Sequence, residues 1–424
     1  MMTLAHRRSR GVHRTLSLFR TAPFRRYIIG IAISDTGTWM QTMAQAWVMT
    51  SLTNQAVMFG IVNFAAGIPM LVVTLLGGVA SDRFDKRKVL AMTQIAQVIV
   101  SVVLGCLVRT GHIRLWHIIG AMILLGVCTA FQLPVIAALV PELVKREQIP
   151  TAIALDRTVF YGCRFVGPFV GGVLVERWGA ASPFFVNAFS FVALIVALMS
   201  LPPPASKPSF QEHVSIHEGF RYLVRDRTMI FLTVLIALTT LFVVPVVYVL
   251  LPLYVRDILG FGPREMGWIM ATAGIGAIIG SFGLLMLEPR RRLNALYVNV
   301  VAAVLAIFMM SRTRSCLVTA VSIGMLAIVL SVIFGLSNII VQERTPNDLR
   351  GRVSAVFGLS FFALAPFAGL ILTSASDLTG MRVALISASG VYGVLALGTL
   401  MISGQAVCDR PLSPALGSEF VPGD

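Results

Sequence analysis

The chain has 424 residues, of which 57% are hydrophobic and 12% charged, with a formal net charge of +15. Its mean hydropathy of +0.85, and a charged share about half the roughly 25% of soluble domains, exclude a water-soluble fold, because that much apolar surface needs lipid as its solvent. The basic balance does not indicate nucleic acid, since Lys and Arg sit between apolar runs and form no soluble basic face.

Residues 1–26 hold seven Lys and Arg and lead straight into an apolar run without a small-residue cleavage pattern. They are expected to be a cytoplasmic tail and not a cleavable signal. A bilayer crossing takes about 20 mostly apolar residues. On that scale six runs follow, at 27–50, 57–80, 89–108, 116–140, 152–175 and 181–200. A Pro-rich break, LPPPASKPS, then opens a polar linker over 201–228. Within it Val214, Phe220, Tyr222, Leu223 and Val224 mix with Glu218, Arg221, Arg225 and Asp226, which predicts a short helix lying on the membrane surface. Six more runs come at 229–254, 266–287, 294–311, 316–341, 353–374 and 382–404, followed by a tail over 405–424. All should be helices, because backbone groups in lipid must bond within their own segment and no barrel-like alternation is present. The expected fold is all-α, with 12 transmembrane helices in two six-helix bundles, 27–200 and 229–404.

An even number of spans puts both termini on one side. With the N-terminus inside, the inner segments hold 24 Lys and Arg and the outer loops eight, so the positive-inside rule predicts a multi-pass protein with both termini cytoplasmic. The halves echo each other. FGIVNFAAG at 59–67 in span 2 matches MGWIMATAG at 266–274 in span 8, and VGPFVGG in span 5 has a weaker counterpart in LAPFAGL in span 11. Such duplication is the layout of secondary transporters with a midplane cavity between two bundles.

Charges inside lipid are expensive, and two lie well within spans: Asp35 in span 1 and Arg164 in span 5. Asp35, Thr38, Trp39, Thr42 and Gln45 fall on one helical arc of about 120°, a stripe expected to face the central cavity. Arg164 is either a charge partner in the cavity or a structural cation beside the Pro168 kink. Asn63, Gln132, Tyr161, Thr239, Tyr248 and Asn338 are polar candidates on other spans. The five cysteines are odd in number, and Cys106, Cys128, Cys163 and Cys316 sit in or beside apolar runs, so no disulfide framework is expected. There is no Gly-x-x-x-x-Gly-Lys-Ser/Thr segment, no His/Cys cluster and no hydrolase motif. Neither an enzyme, a metal nor another cofactor is expected.

The loop between spans 2 and 3, within GGVASDRFDKRKVL, packs six charges into residues 82–88. It resembles the major facilitator superfamily signature Gly-x-x-x-Asp-Arg-x-Gly-Arg-Arg/Lys: Gly78, Asp82, Arg83, Lys86, Arg87 and Lys88 fit, and Asp85 stands where glycine is usual. The resemblance implies a latch. Gly78 lets span 2 approach the other half, Asp82 sits at a facing helix N-terminus, and the basic cluster anchors the loop. Gly167, Pro168, Gly171 and Gly172 look like the Gly-Pro-x-x-Gly-Gly element in span 5 of the superfamily's exporters. They are expected to seal spans 5 and 8 together against Gly274, Gly276, Gly280 and Gly283. TGTWMQ, LPVIAALVPELV, AIAL, RFVGP and TPNDLRGRVSA are similar to the branch that holds bacterial enterobactin exporters and macrolide efflux pumps.

What the resemblance implies is a secondary active exporter of a small organic molecule, a drug, siderophore or secondary metabolite. It would act as a monomer by alternating access in the plasma membrane of a bacterium. Without an ATP site, uphill export needs an ion gradient, with the proton as the expected ion. Asp35, the acid well inside a span, is the candidate carrier, and Arg164 would tune it if the two face each other. Three alternatives stay open: an importer or uniporter of the same fold, a non-transporting membrane sensor, and a purely structural Asp35.

Overall fold

The computed structural model describes residues 18–19, 21–202, 216–346 and 349–408. Side chains at 75–83, 216–217, 351, 355 and 403–408 lie outside that description, as do most of the two tails and of the linker. Every regular element among the described residues is helical.

Span 1 covers Ala22–Leu52, span 2 Ala56–Arg83, span 3 Lys86–Arg109, span 4 Leu115–Glu142, span 5 Ile149–Trp178 and span 6 Ser182–Met199. In the second half, span 8 covers Pro263–Leu285, span 9 Arg292–Arg312, span 10 Cys316–Arg344 and span 12 Met381–Cys408. Eleven helices among the described residues are long and apolar enough to cross a membrane. The remaining one of that length is span 1, whose 31 residues would extend about 46 Å but whose polar stripe lowers its hydropathy. Counted with the others it makes twelve.

Two spans differ from the uninterrupted helices expected. Span 7 runs Arg227–Phe242, restarts at Val244–Tyr248 and ends in a wider π-type turn over Tyr254–Leu259. Span 11 runs Arg350–Phe362 and restarts at Ala365–Thr379. Each restart has a proline at its second position, Pro245 and Pro366. Proline cannot donate to the preceding turn and clashes with it, so the helix yields there. The linker helix is present as Ile216–Arg225 and packs on the start of span 11, where Glu218 pairs with Arg352.

Within each half the packing repeats. Span 2 lies on span 4 and span 3 on span 6, while span 8 lies on span 10 and span 9 on span 12. A glycine sets the distance in each of the tightest pairs, from span 4 in one half and span 8 in the other: an added Cβ at Gly126 would collide with the Ala66 carbonyl, and one at Gly276 with the Gly324 carbonyl. In lipid, such close backbone approach and van der Waals contact replace the hydrophobic drive of a soluble core. Between the halves the main contacts are span 2 on span 11 and span 5 on span 8.

Candidate functional site

A cavity of about 480 Å³ opens between the halves. Its walls come from mid-span 5 (Tyr161, Arg164), both sides of the break in span 7 (Ile236, Val244, Tyr248), and the later parts of spans 8 and 10. Phe357, Phe361 and Phe362, just before the break in span 11, complete it. The two helix interruptions therefore border the cavity, where irregular backbone is tolerated in a membrane protein. It extends from mid-span toward the end of the molecule that bears the linker helix and the start of span 1.

Arg164 is at the deep end. Its guanidinium lies 4.9 Å from the Trp39 ring centroid and 4.6 Å from that of Tyr248, two rings from opposite halves. Such stacking is favourable for arginine and fixes its plane. Beyond it Pro168, Val247, Met270 and Ala273 border a void of about 10 Å³, room for one water at most. Gly167 makes the arrangement possible, since an added Cβ there would come within 2.6 Å of the Trp39 Cβ. The Arg164 Nε is buried without a hydrogen-bond partner among the described residues.

Asp35 does not pair with Arg164 among the described residues. The charges acting on it come from Asp156 and Arg157 of span 5. Asp156 in turn accepts a hydrogen bond from the Tyr27 hydroxyl at 3.0 Å. Span 1 thus presents two groups, Tyr27 and Asp35, to the early part of span 5, where Asp156 is a second acid in the same neighbourhood.

The other expected residues divide. Trp39, Arg164, Tyr248 and Asn338 reach the cavity or its blind end. Gln132 does not line it: its amide donates to Thr93 at 3.1 Å and Gln97 at 3.0 Å, tying span 4 to span 3. Thr42 donates to the Thr38 carbonyl along its own helix, and Gln45 is buried. Thr239 bonds within the second half, to Tyr392 at 3.2 Å. The serines at 281 and 331, joined at 2.9 Å, and the phenylalanines at 334, 357, 361 and 362 line the cavity without having been singled out. Large apolar side chains and scattered serines occur on several faces of these helices, so sequence alone carries little signal for which face meets the cavity.

At the end remote from the termini the halves are clasped. Asp377, at the close of span 11, accepts from the backbone N–H groups of Ala56 (2.7 Å) and Val57 (2.8 Å), capping span 2. Arg256 donates to the carbonyls of Thr50 and Thr53 at the close of span 1, and Arg264 pairs with Glu176 at 3.7 Å. Asn63 donates to the Ala365 carbonyl at 3.2 Å. Gly172 packs against Pro263 and Arg264, and Gly267 against Pro168. Gly167 and Gly171 instead face Met40 and its neighbours on span 1, which corrects their expected place in the seam with span 8. Of the span 8 glycines, Gly274 meets Phe165, whereas Gly276 and Gly280 face span 10.

At the opposite end the described polar contacts stay within one half. Lys86 pairs with Glu142 at 2.8 Å, and Arg87 pairs with Asp85 at 2.7 Å while donating to the Leu201 carbonyl at 2.6 Å. Asp85 caps span 3 by accepting from the Arg87 N–H at 3.0 Å. The latch candidates Gly78, Asp82 and Arg83 fall in the helical backbone of span 2, but their side chains lie outside the described residues.

Twelve spans among the described residues, in two similarly packed halves around a shared cavity, are the architecture of a transporter of the major facilitator superfamily. The chain belongs to the transmembrane secretion effector family, whose profile it matches over residues 13–407. It is 26% identical over 424 aligned positions to the multidrug efflux pump Tap of Mycobacterium tuberculosis (strain ATCC 25618 / H37Rv), covering 90% of this chain and 96% of that one. It is 25% identical to the enterobactin exporter EntS of Shigella boydii, covering 91% of this chain and 93% of the relative. Among solved structures the nucleoside transporter NupG shares the fold, with a TM-score of 0.73 at 13% identity over 92% of this chain and all of that one.

Proposed function

We propose that this protein is a secondary exporter of small organic molecules that works by alternating access, as a monomer in a bacterial plasma membrane. The observation that carries the reading is the asymmetry of the interface: a cavity reaching mid-span from one end, and cross-half clasps at the other. Lys and Arg favour the side of the termini by 24 to eight, which argues that this side is cytoplasmic and the state inward-open. Relatives named as a multidrug efflux pump and an enterobactin exporter support export over uptake.

The proton is the proposed coupling ion and Asp35 its carrier. A carboxyl can be charged or neutral inside the membrane, whereas a guanidinium stays charged throughout. Asp156, bonded to Tyr27, offers a second carboxylate near the cytoplasmic end through which a proton released from Asp35 would leave. Spans 1 and 5 also carry the stack on Arg164, so proton and substrate act on the same pair of helices. Asp35→Asn in vesicles with an imposed pH gradient tests this. Loss of uphill flux with substrate exchange retained is the expected result; uphill flux at the wild-type rate would remove Asp35 from the coupling.

A further inference from the structure

The cavity has a charge preference of its own. Among the described residues that line it, Arg164 is the one charged side chain; the remainder are tyrosines, phenylalanines, aliphatics, two serines, two glycines and Asn338. No carboxylate is among them. An organic cation entering here would meet a fixed positive charge and nothing to neutralise its own. Arg164 itself is in an unsatisfied state, with no ion pair or side-chain hydrogen bond among the described residues and its Nε buried without a partner. The rings of Trp39 and Tyr248 stabilise the guanidinium through their faces. Stacking of that kind leaves the N–H groups, which lie in the guanidinium plane, free for a ligand. A carboxylate or phosphate would satisfy two of them at once, in a partly dehydrated site where the pairing is strengthened.

The opposite wall suggests the rest of the ligand. Phe334 and Phe361 meet edge to face at 4.9 Å, and Phe361 and Phe362 at 5.1 Å, on the side of spans 10 and 11. Asn338 lies in the same lining, with its Oδ1 already accepting from Gln342. A ligand spanning the two sites would need an anionic end for Arg164 and an apolar or aromatic body for the phenylalanines.

We infer that the transported class is amphipathic organic anions, with Arg164 as the residue that binds the anionic group and selects against cations. This rests on the reading of the cavity as a transport site, but it concerns binding alone and needs no gradient. The experiment uses the purified full-length protein in lipid nanodiscs and three probes of similar shape: 1-naphthoate, the neutral 1-naphthamide and the cationic 1-naphthylmethylamine. Wild-type protein should bind the acid at least tenfold more tightly than the amide or the amine. Arg164→Gln should lower acid affinity at least tenfold and leave amide affinity unchanged, with Arg164→Lys in between. If Arg164→Gln fails to fold, the wild-type order of the probes carries the test. Equal affinity for acid and amide, preference for the amine, no acid binding by the wild type, or undiminished acid binding in a folded Arg164→Gln would each overturn the inference. Failure of uphill export with this binding order intact would count against the transport reading and leave the anion site standing.

Discussion

At Asp85 the chain departs from the superfamily signature, and the geometry supplies a reason. The carboxylate caps span 3 and pairs with Arg87, which also holds the end of span 6 through the Leu201 carbonyl. Hydrogen bonds from the Arg87 side chain, opposed by partial burial and aided by its backbone N–H, hold the Asp85 carboxyl below the usual carboxylate range. A lowered value means that the stabilisation is complete at neutral pH and is lost as pH falls through it. Asp85→Ala should therefore lower stability by about 1 kcal/mol at pH 7, seen as a lower Tm, with the gap to wild type closing in acid. An unchanged Tm at pH 7 would show that the cap contributes nothing. Other single residues were legible in the sequence only in part. Arg164 stands out because a charge in an apolar run is conspicuous, and the structure places it at the cavity. Gln132 stands out as a polar side chain in an apolar run, yet it bonds to Thr93 and Gln97. A polar side chain in a span announces that it needs a partner, not whether the partner is a neighbouring helix or a ligand.

Helices as elements were the most legible, because each must hide its own backbone and does so with a run of about 20 apolar residues. What hydropathy does not carry is the phase between neighbours. The glycines of span 5 were read as one surface, but Gly171 faces span 1 and Gly172 faces span 8. Adjacent positions on a helix are 100° apart and meet different partners. The breaks in spans 7 and 11 were missed because Pro245 and Pro366 barely change an average over 20 residues, although they decide the local backbone. The clasp at the remote end was missed too, since Asp377 reads as an ordinary loop-side acid near the end of span 11. Its two bonds to the first N–H groups of span 2 place an anion at a helix N-terminus, where the dipole favours it. This is the chemistry expected of Asp82 at the other face, with the halves exchanged. Asp377→Asn keeps the shape and removes the charge, so it should loosen the clasp and raise the population open at that end. Faster thiol labelling of Gln55→Cys in the Asp377→Asn background is the expected readout. An unchanged labelling rate would mean that the contact does not hold the gate.

At the scale of the whole molecule, the proposed alternating access requires the two halves to move as units that close at one end as they open at the other. Distances between spin labels on the two halves report this directly. One pair, Gln55→Cys with Leu378→Cys, spans the clasped end; a second, Glu147→Cys with Arg290→Cys, spans the end where the cavity opens. Both are introduced after replacement of the native cysteines in a variant that keeps transport. Without substrate the first pair should be short, because the Asp377 cap on span 2 lies beside it, and the second long. As an inhibitor or an imposed pH shift drives the protein to its other state, the first distance should lengthen while the second shortens, the two changes tracking each other across conditions. Distances that lengthen together, or that stay fixed while the reconstituted protein transports, would contradict alternating access by this pair of bundles.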